Sequence, residues 1–124
     1  MAKTKWPKLP RYYIPLFNSA NVYLCTTREQ WDQARAHLNF VSHGTEALRG
    51  VTTHYQNVET NENLYLIGVF TGDVSTLAHE CAHVAFYTCR DVGVTIDTNG
   101  ANETYCYLLG GMVSHFLPFI TKQE

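Results

Sequence analysis

Apolar and polar residues follow patterns typical of β-strands in four parts of the chain. β-Branched and aromatic residues predict strands at residues 12–17, 22–25, 51–55 and 64–70, and the last has the strongest pattern. Pro15 has no backbone N–H to donate, so the first strand is expected at an edge of the sheet. A short polar turn separates the first two strands, which should form a hairpin.

Three other segments have the spacing or composition of helices. Thr26 or Thr27 caps the first helix, whose sheet-facing apolar positions are Trp31, Ala34 and Leu38. The second helix, around residues 74–87, is apolar on nearly every side, so we expect it to be central and largely buried. A third apolar helical pattern opens within residues 100–107. The order strand, strand, helix, strand, strand, helix, helix predicts an α+β fold.

Length and composition favour one globular domain. The chain has 124 residues, of which 45% are hydrophobic, enough for a core but too few residues for a catalytic and a regulatory domain together. Lysines and prolines in residues 1–10 predict a flexible N-terminal lead, and residues 11–124 are expected to form the domain.

The net charge and the cysteine spacing argue against several classes of protein. A formal net charge of −2 gives no basic field for nucleic acid, and the local cluster Lys3, Lys5, Lys8 and Arg11 is expected to be a solvated tail. No apolar stretch follows these lysines, and none in the chain approaches a membrane span, so we expect a cytoplasmic protein without membrane contact. The four cysteines lack C-x-x-C spacing and should be free thiols.

The chemistry of the chain centres on an H-E-x-x-H motif formed by His79, Glu80 and His83. On a helix, residues four apart lie on the same face, so both imidazoles can bind one zinc ion. Glu80 can then reach a zinc-bound water and take its proton during attack on a carbonyl. The alternative is a pair of core histidines that bond to backbone carbonyls without a metal.

A third acid follows His83 by 20 residues, at Glu103. This carboxylate, expected one turn into the third helix, completes a two-histidine, one-glutamate site with a fourth position open for water, as in catalytic zinc sites. Tyr107, one turn further, is the first candidate to donate a hydrogen bond to the transition state, followed by His54 and Tyr55. Each of the other histidines, His37, His43, His54 and His115, is expected to be structural or at the surface.

These residues resemble the gluzincin branch of the zincin metallopeptidases, which includes thermolysin and the minigluzincins. The similarity covers residues 64–113 and includes the pair Asn102 and Glu103. It implies zinc ligation by His79, His83 and Glu103, with Glu80 as general base. It also implies a small single-domain zincin-like fold, in which a twisted, mainly antiparallel sheet packs on the motif helix and the glutamate-bearing helix. The strand that borders the site, at residues 64–70 or 51–56, could add an extended peptide. The motif is also similar to short zincin-like proteins of phages and prophages.

The sequence therefore predicts a zinc metallopeptidase or peptidase-like hydrolase with one zinc ion per chain. Such a small domain has few cleft walls, so we expect short or disordered peptides as substrates, or a protein partner that completes the site. One alternative is a zincin-scaffold binding protein with structural zinc and little or no hydrolysis, such as a phage protein that engages a host protein. Another is a packing domain without zinc.

Overall fold

Seven elements follow one another in the predicted order in the computed structural model, which describes residues 4–41, 44–100 and 102–121. They are β1 (Arg11–Tyr13), β2 (Ala20–Cys25), α1 (Arg28–His37), β3 (Gly50–Gln56), β4 (Asn63–Val69), α2 (Val74–Val92) and α3 (Glu103–Thr121). The fold is α+β, as predicted.

The four strands form one mixed sheet in the order β1-β2-β4-β3. β1 pairs with β2 and β3 pairs with β4 in antiparallel fashion, whereas the central pair, β2 and β4, is parallel, with Val22 opposite Tyr65. The expectation of a mainly antiparallel sheet therefore holds at both edges but not at the centre. β3 is an edge strand and β4 is internal, so residues 64–70 do not border open solvent along their length.

Side chains alternate between the two faces of the sheet and create two apolar layers. The larger core contains Val22, Leu24, Tyr65, Ile67 and Val69 from the sheet, packed against buried residues of α2 and α3. On the other face, Trp31 and Ala34 of α1 pack with Leu66 and Cys25. This division follows from the period of two along a strand.

Residues 4–10 pack against the sheet and α1 rather than forming a free lead. The ring of Trp6 lies 5.0 Å from that of Tyr23 in an edge-on arrangement, and Pro7 is buried. The Gln33 side chain donates a hydrogen bond to the carbonyl of Lys5 at 3.0 Å. Residues 1–3 of the expected lead lie outside the described residues.

Local signals account for the start and end of the motif helix. The Asp73 side chain accepts a hydrogen bond from the Thr76 N–H at 2.7 Å and caps α2. That bond and those from the hydroxyls of Ser75 and Thr71 hold the pKa of Asp73 well below its usual value. Gly93 adopts the left-handed conformation, with φ 76°, and ends the helix.

Cys25, Cys81 and Cys89 are buried free thiols and Cys106 is an exposed one. Burial raises the pKa of both Cys25 and Cys81 to about 12, so these thiols pack as small apolar groups. Within residues 4–41, 44–100 and 102–121, no helix combines the length and apolar character needed to cross a membrane.

Candidate metal site and adjoining groove

The two motif histidines meet on the outer face of α2. Their Nε2 atoms lie 3.3 Å apart, and the ring planes are inclined at 83° with centroids 4.9 Å apart. His79 is exposed and His83 is half-buried. The helical spacing alone brings the rings together, since residues four apart are neighbours on a helix surface.

The separation of the two nitrogens suits a shared metal ion. Two nitrogens bound to one tetrahedral zinc at its usual bond length lie about 3.3 Å apart, which is the distance between these Nε2 atoms. The same distance also suits an N–H···N hydrogen bond between a neutral donor ring and an acceptor ring. The separation of the two Nε2 atoms is therefore compatible with either arrangement.

Glu80 points to the strand side of α2, where it meets β3. Its side chain is only 5% exposed, and the hydroxyl of Thr52 donates a hydrogen bond to its Oε1 atom at 2.5 Å. This bond fixes the carboxylate at the edge of the sheet, next to His79 along the helix. A buried carboxylate requires such a donor.

Gly50 makes room for the same carboxylate. A Cβ atom at this position would lie 2.9 Å from Glu80 Oε2, 2.7 Å from Thr76 Cγ2 and 2.9 Å from the carbonyl oxygen of Gly68. Real side chains do not tolerate such distances, and one of the three atoms belongs to the backbone. Glycine is thus required at the start of β3 for α2 to approach the sheet so closely.

His79 and Glu80 line one open groove of about 500 Å³ between α2 and the segment before β3. The outer wall is formed by Ala47, Leu48 and Arg49. Arg28 holds this wall by donating hydrogen bonds to the carbonyls of Thr45 at 3.0 Å and Leu48 at 2.8 Å. The position of the groove therefore depends on a guanidinium from α1, far away in sequence.

A row of rings supports the second histidine. The rings of His83 and Tyr87 are stacked, with their centroids 6.1 Å apart. Tyr87 stacks in turn on Tyr65, with a centroid distance of 6.4 Å, and Tyr65 stacks on His54, with a centroid distance of 4.6 Å. The Tyr65 hydroxyl donates to Asp91 at 3.1 Å, and burial together with this carboxylate raises the pKa of Tyr65. The row connects α2 to the internal strand β4 and to the edge strand β3.

Glu103 does not join the histidines. α2 continues past His83 to Val92, and Glu103 is the exposed first residue of α3, not a residue one turn inside it. Among the residues that the structure describes, no group of three or more histidine, cysteine, aspartate or glutamate side chains is arranged to hold a metal ion. The two-histidine, one-glutamate set is therefore not assembled in this arrangement.

The three candidate hydrogen-bond donors also lie outside the groove. Tyr107 is 78% exposed on α3. Tyr55 lies on the α1 side of β3, where its hydroxyl accepts a hydrogen bond from Arg35 at 2.7 Å. The Nε2 atom of His54 donates a hydrogen bond to the side-chain oxygen of Asn63 at 2.8 Å. None of them lines the groove beside His79.

Two further histidines match the expected structural role. His37 pairs with the carbonyl of Thr4 at 2.8 Å, and His115 pairs with the carbonyl of Arg11 at 2.7 Å. His43 lies outside the described residues. Sequence reasoning missed Thr52 and Gly50, although their spacing of two residues places them on one face of a strand.

No protein-family model matches the chain, and no curated protein or solved structure is significantly similar to it.

Proposed function

We propose that this protein is a metal-dependent, peptidase-like hydrolase in which His79 and His83 bind zinc and Glu80 is the general base. The observation that carries the proposal is the 3.3 Å separation of the two Nε2 atoms, together with a carboxylate that lines the same groove as His79. The edge strand β3 beside the motif helix supports the further proposal of a zincin-like arrangement.

The residues fit a zinc ion in part. Two imidazoles of suitable spacing are present, and Glu103 could complete the set only if the first turn of α3 approached them. Zinc in such a site lowers the pKa of bound water to about 7 and polarises a carbonyl oxygen. The proposal therefore rests on His79, His83 and Glu80, with Glu103 as a separate question.

Glu80 is suited to accept a proton because Thr52 holds one of its oxygens and the residue lines the groove. Thr52 bonds to Oε1, whereas Oε2 lies where a side chain at residue 50 would otherwise be. A base fixed in this way loses little entropy when a reacting group binds. Thr52 and Gly50 are thus positioning residues in this proposal.

A peptide is the proposed substrate because the groove is continuous with an edge strand. β3 pairs with β4 on one side, and within the described part of the chain no strand pairs with its other side. An extended peptide can add to such an edge through backbone hydrogen bonds. A scissile bond beside Gly50 and Thr52 would then lie next to Glu80.

A second candidate is a binding protein that uses the same edge strand without hydrolysis. The burial of Glu80 and its short bond to Thr52 favour it, since a purely structural carboxylate has the same surroundings. Under this candidate, replacement of Glu80 lowers stability but removes no activity.

Metal binding tests the first step of the proposal. The apoprotein should bind about one Co²⁺ with the visible absorption of a tetrahedral site, and zinc should displace the cobalt. His79→Ala should abolish this spectrum, whereas His37→Ala, which removes a histidine on α1, should retain it. If the wild-type protein binds neither metal, the hydrolase proposal is wrong.

Hydrolysis tests the second step. Zinc-loaded protein should cleave an unstructured substrate such as casein, with products identified by mass spectrometry, and Glu80→Gln should lower the rate by about 100- to 10,000-fold while it still binds zinc. Equal rates for the wild type and Glu80→Gln would remove Glu80 from the mechanism. Zinc binding without any cleavage would favour the binding protein.

A further inference from the structure

The loop between α2 and α3 contains the only asparagine of the chain that is followed by glycine. Asn99 and Gly100 lie in this loop, and both residues are exposed. In such a pair the backbone nitrogen of the glycine can attack the side-chain carbonyl carbon of the asparagine, because glycine has no Cβ atom to obstruct the approach. Each of the other seven asparagines precedes a residue with a side chain. The sequence thus singles out Asn99 for this reaction.

The side-chain amide of Asn99 is not held in place. Among the described residues this amide makes no hydrogen bond, although the backbone N–H of Asn99 donates to Oδ1 of Asp97 at 2.8 Å. The amide of Asn63, by contrast, is held at its oxygen at 2.8 Å and at its nitrogen at 3.4 Å. The amide of Asn99 can therefore rotate towards the nitrogen of Gly100.

The attacking nitrogen is only weakly restrained. The Gly100 N–H donates to the carbonyl oxygen of Asp97 across 3.4 Å, which is longer than the usual N–H···O distance of about 2.7 to 3.2 Å. Apart from its chain neighbours, no described residue has a heavy atom within 4 Å of the place that a Cβ atom of Gly100 would take. The nitrogen can therefore leave its weak bond and reach the Asn99 side chain without displacing other parts of the fold.

We propose that Asn99 is a site of spontaneous deamidation through a cyclic imide. The nitrogen of Gly100 loses its proton to a base from the solvent and bonds to Cγ of Asn99. The bond from Cγ to the side-chain nitrogen breaks, and that nitrogen takes up a proton and leaves as ammonia. Water then opens the succinimide ring at either carbonyl and gives aspartate or isoaspartate. The net reaction consumes water and releases ammonia, with no oxidation or reduction.

Both products change the loop that connects the two helices. Each replaces a neutral amide by a carboxylate two residues from Asp97, and isoaspartate also lengthens the backbone by a methylene group. The carbonyl of Asp97 accepts a hydrogen bond from the side chain of Asn102 at 2.9 Å, directly before α3 begins. The modification therefore acts on the segment that leads into α3. It requires neither a metal ion nor Glu80, so it does not depend on the proposed hydrolase activity.

Mass spectrometry of the full-length protein tests the proposal. After incubation in H₂¹⁸O at mildly alkaline pH, a digest prepared at acidic pH should contain ¹⁸O at residue 99, with isoaspartate identified by electron-transfer fragmentation. The rate should rise with hydroxide concentration, because the deprotonated nitrogen is the attacking group. Asn18 is the internal control, since it is also exposed but precedes Ser19, and it should remain largely unmodified. Equal modification of Asn18 and Asn99 would contradict the proposal.

Gly100→Ala is the matched variant, because its added methyl group hinders the attack but meets no neighbouring atom in the described structure. It should lose most of the modification at Asn99. If this variant does not fold, the comparison of Asn99 with Asn18 in the wild type still decides. A synthetic peptide of residues 95–103 serves as the positive control for the reaction conditions. Undiminished deamidation in Gly100→Ala, or an unmodified Asn99 in the folded protein, would overturn the proposal.

Discussion

Two of the contacts that α2 makes differ in chemistry, one with the edge strand β3 and one with the first turn of α3. Against β3 the contact is polar and specific: the Thr52 hydroxyl bonds to Glu80 at 2.5 Å, and Gly50 leaves room for the carboxylate. Against α3 the contact is apolar, with the rings of Phe86 and Tyr105 4.5 Å apart. Glu103 is exposed beside this second contact.

The difference between the two contacts supports the proposed location of the functional site. Burying a carboxylate costs free energy unless hydrogen-bond donors surround it. The burial of Glu80 therefore requires α2 and β3 to be held in one relative position. The α2–α3 contact requires only that apolar side chains pack. We therefore propose that the functional surface lies on the β3 side of α2, and the following predictions test that proposal.

The largest expected effect is a difference in zinc affinity between the variants His83→Ala and Glu103→Ala. His83→Ala should weaken zinc affinity by on the order of 100-fold or more, since even residues that only support metal ligands change affinity by about 10- to 100-fold. Glu103→Ala should leave the affinity unchanged, because among the described residues Glu103 forms no metal-holding group with the two histidines. Calorimetric titration of both variants measures this difference. A large loss in Glu103→Ala would show that α3 approaches the histidines when metal binds.

The next effect concerns the close approach of α2 to β3. Gly50→Ala should destabilise the protein by about 1 to 3 kcal/mol, because the added methyl group overlaps Glu80, Thr76 and the backbone of Gly68. Chemical denaturation measures the change in the free energy of unfolding.

Gly110→Ala on α3 is the matched control for Gly50→Ala. An added Cβ there meets no atom within 4 Å, and alanine favours helix over glycine by about 1 kcal/mol. This variant should therefore be as stable as the wild type or more so. Equal destabilisation by both substitutions would contradict the close packing described at Gly50.

A smaller effect is expected from the bond between Thr52 and Glu80. Thr52→Val keeps the shape of the side chain but removes the hydroxyl, which leaves a buried carboxylate oxygen without its donor and should cost about 1 to 3 kcal/mol. Thr52→Ser retains the hydroxyl and should lose less. If valine and serine have the same effect in denaturation experiments, the hydrogen bond contributes nothing measurable.

The smallest expected effect is a pH-dependent contribution of Asp73, at the start of α2, to the stability of the folded protein. The pKa of Asp73 is lowered in the folded protein by its bonds to the Thr76 N–H and to nearby hydroxyls. A lowered pKa gives stability that is fully present above the unfolded value of about 3.9 and is lost as the pH falls below it. Thermal melts should therefore give a higher melting temperature for the wild type than for Asp73→Asn at neutral pH. This difference in melting temperature should shrink towards about pH 3. A difference that grows on acidification would contradict this assignment.

Much of the fold was predictable because its signals are local. The strand patterns, the capping threonine before α1 and the apolar motif helix each depend on residues close in sequence. The parallel pairing of β2 with β4 was not predictable from such patterns, because β3 precedes β4 in the chain and still lies outside it in the sheet. The packing of residues 4–10 was missed for a similar reason, since Trp6 contacts a strand distant in sequence.

The sequence by itself determined the histidine pair, because hydrogen bonds within a helix place residues four apart on one face whatever surrounds it. It also placed Glu80 beside them. Only the tertiary structure decided that Thr52 holds this carboxylate in the room left by Gly50, and that Glu103 forms no metal-holding group with the histidines in the described part of the chain. Those distances depend on where each helix ends and on how all apolar faces pack at once, and no local pattern fixes either.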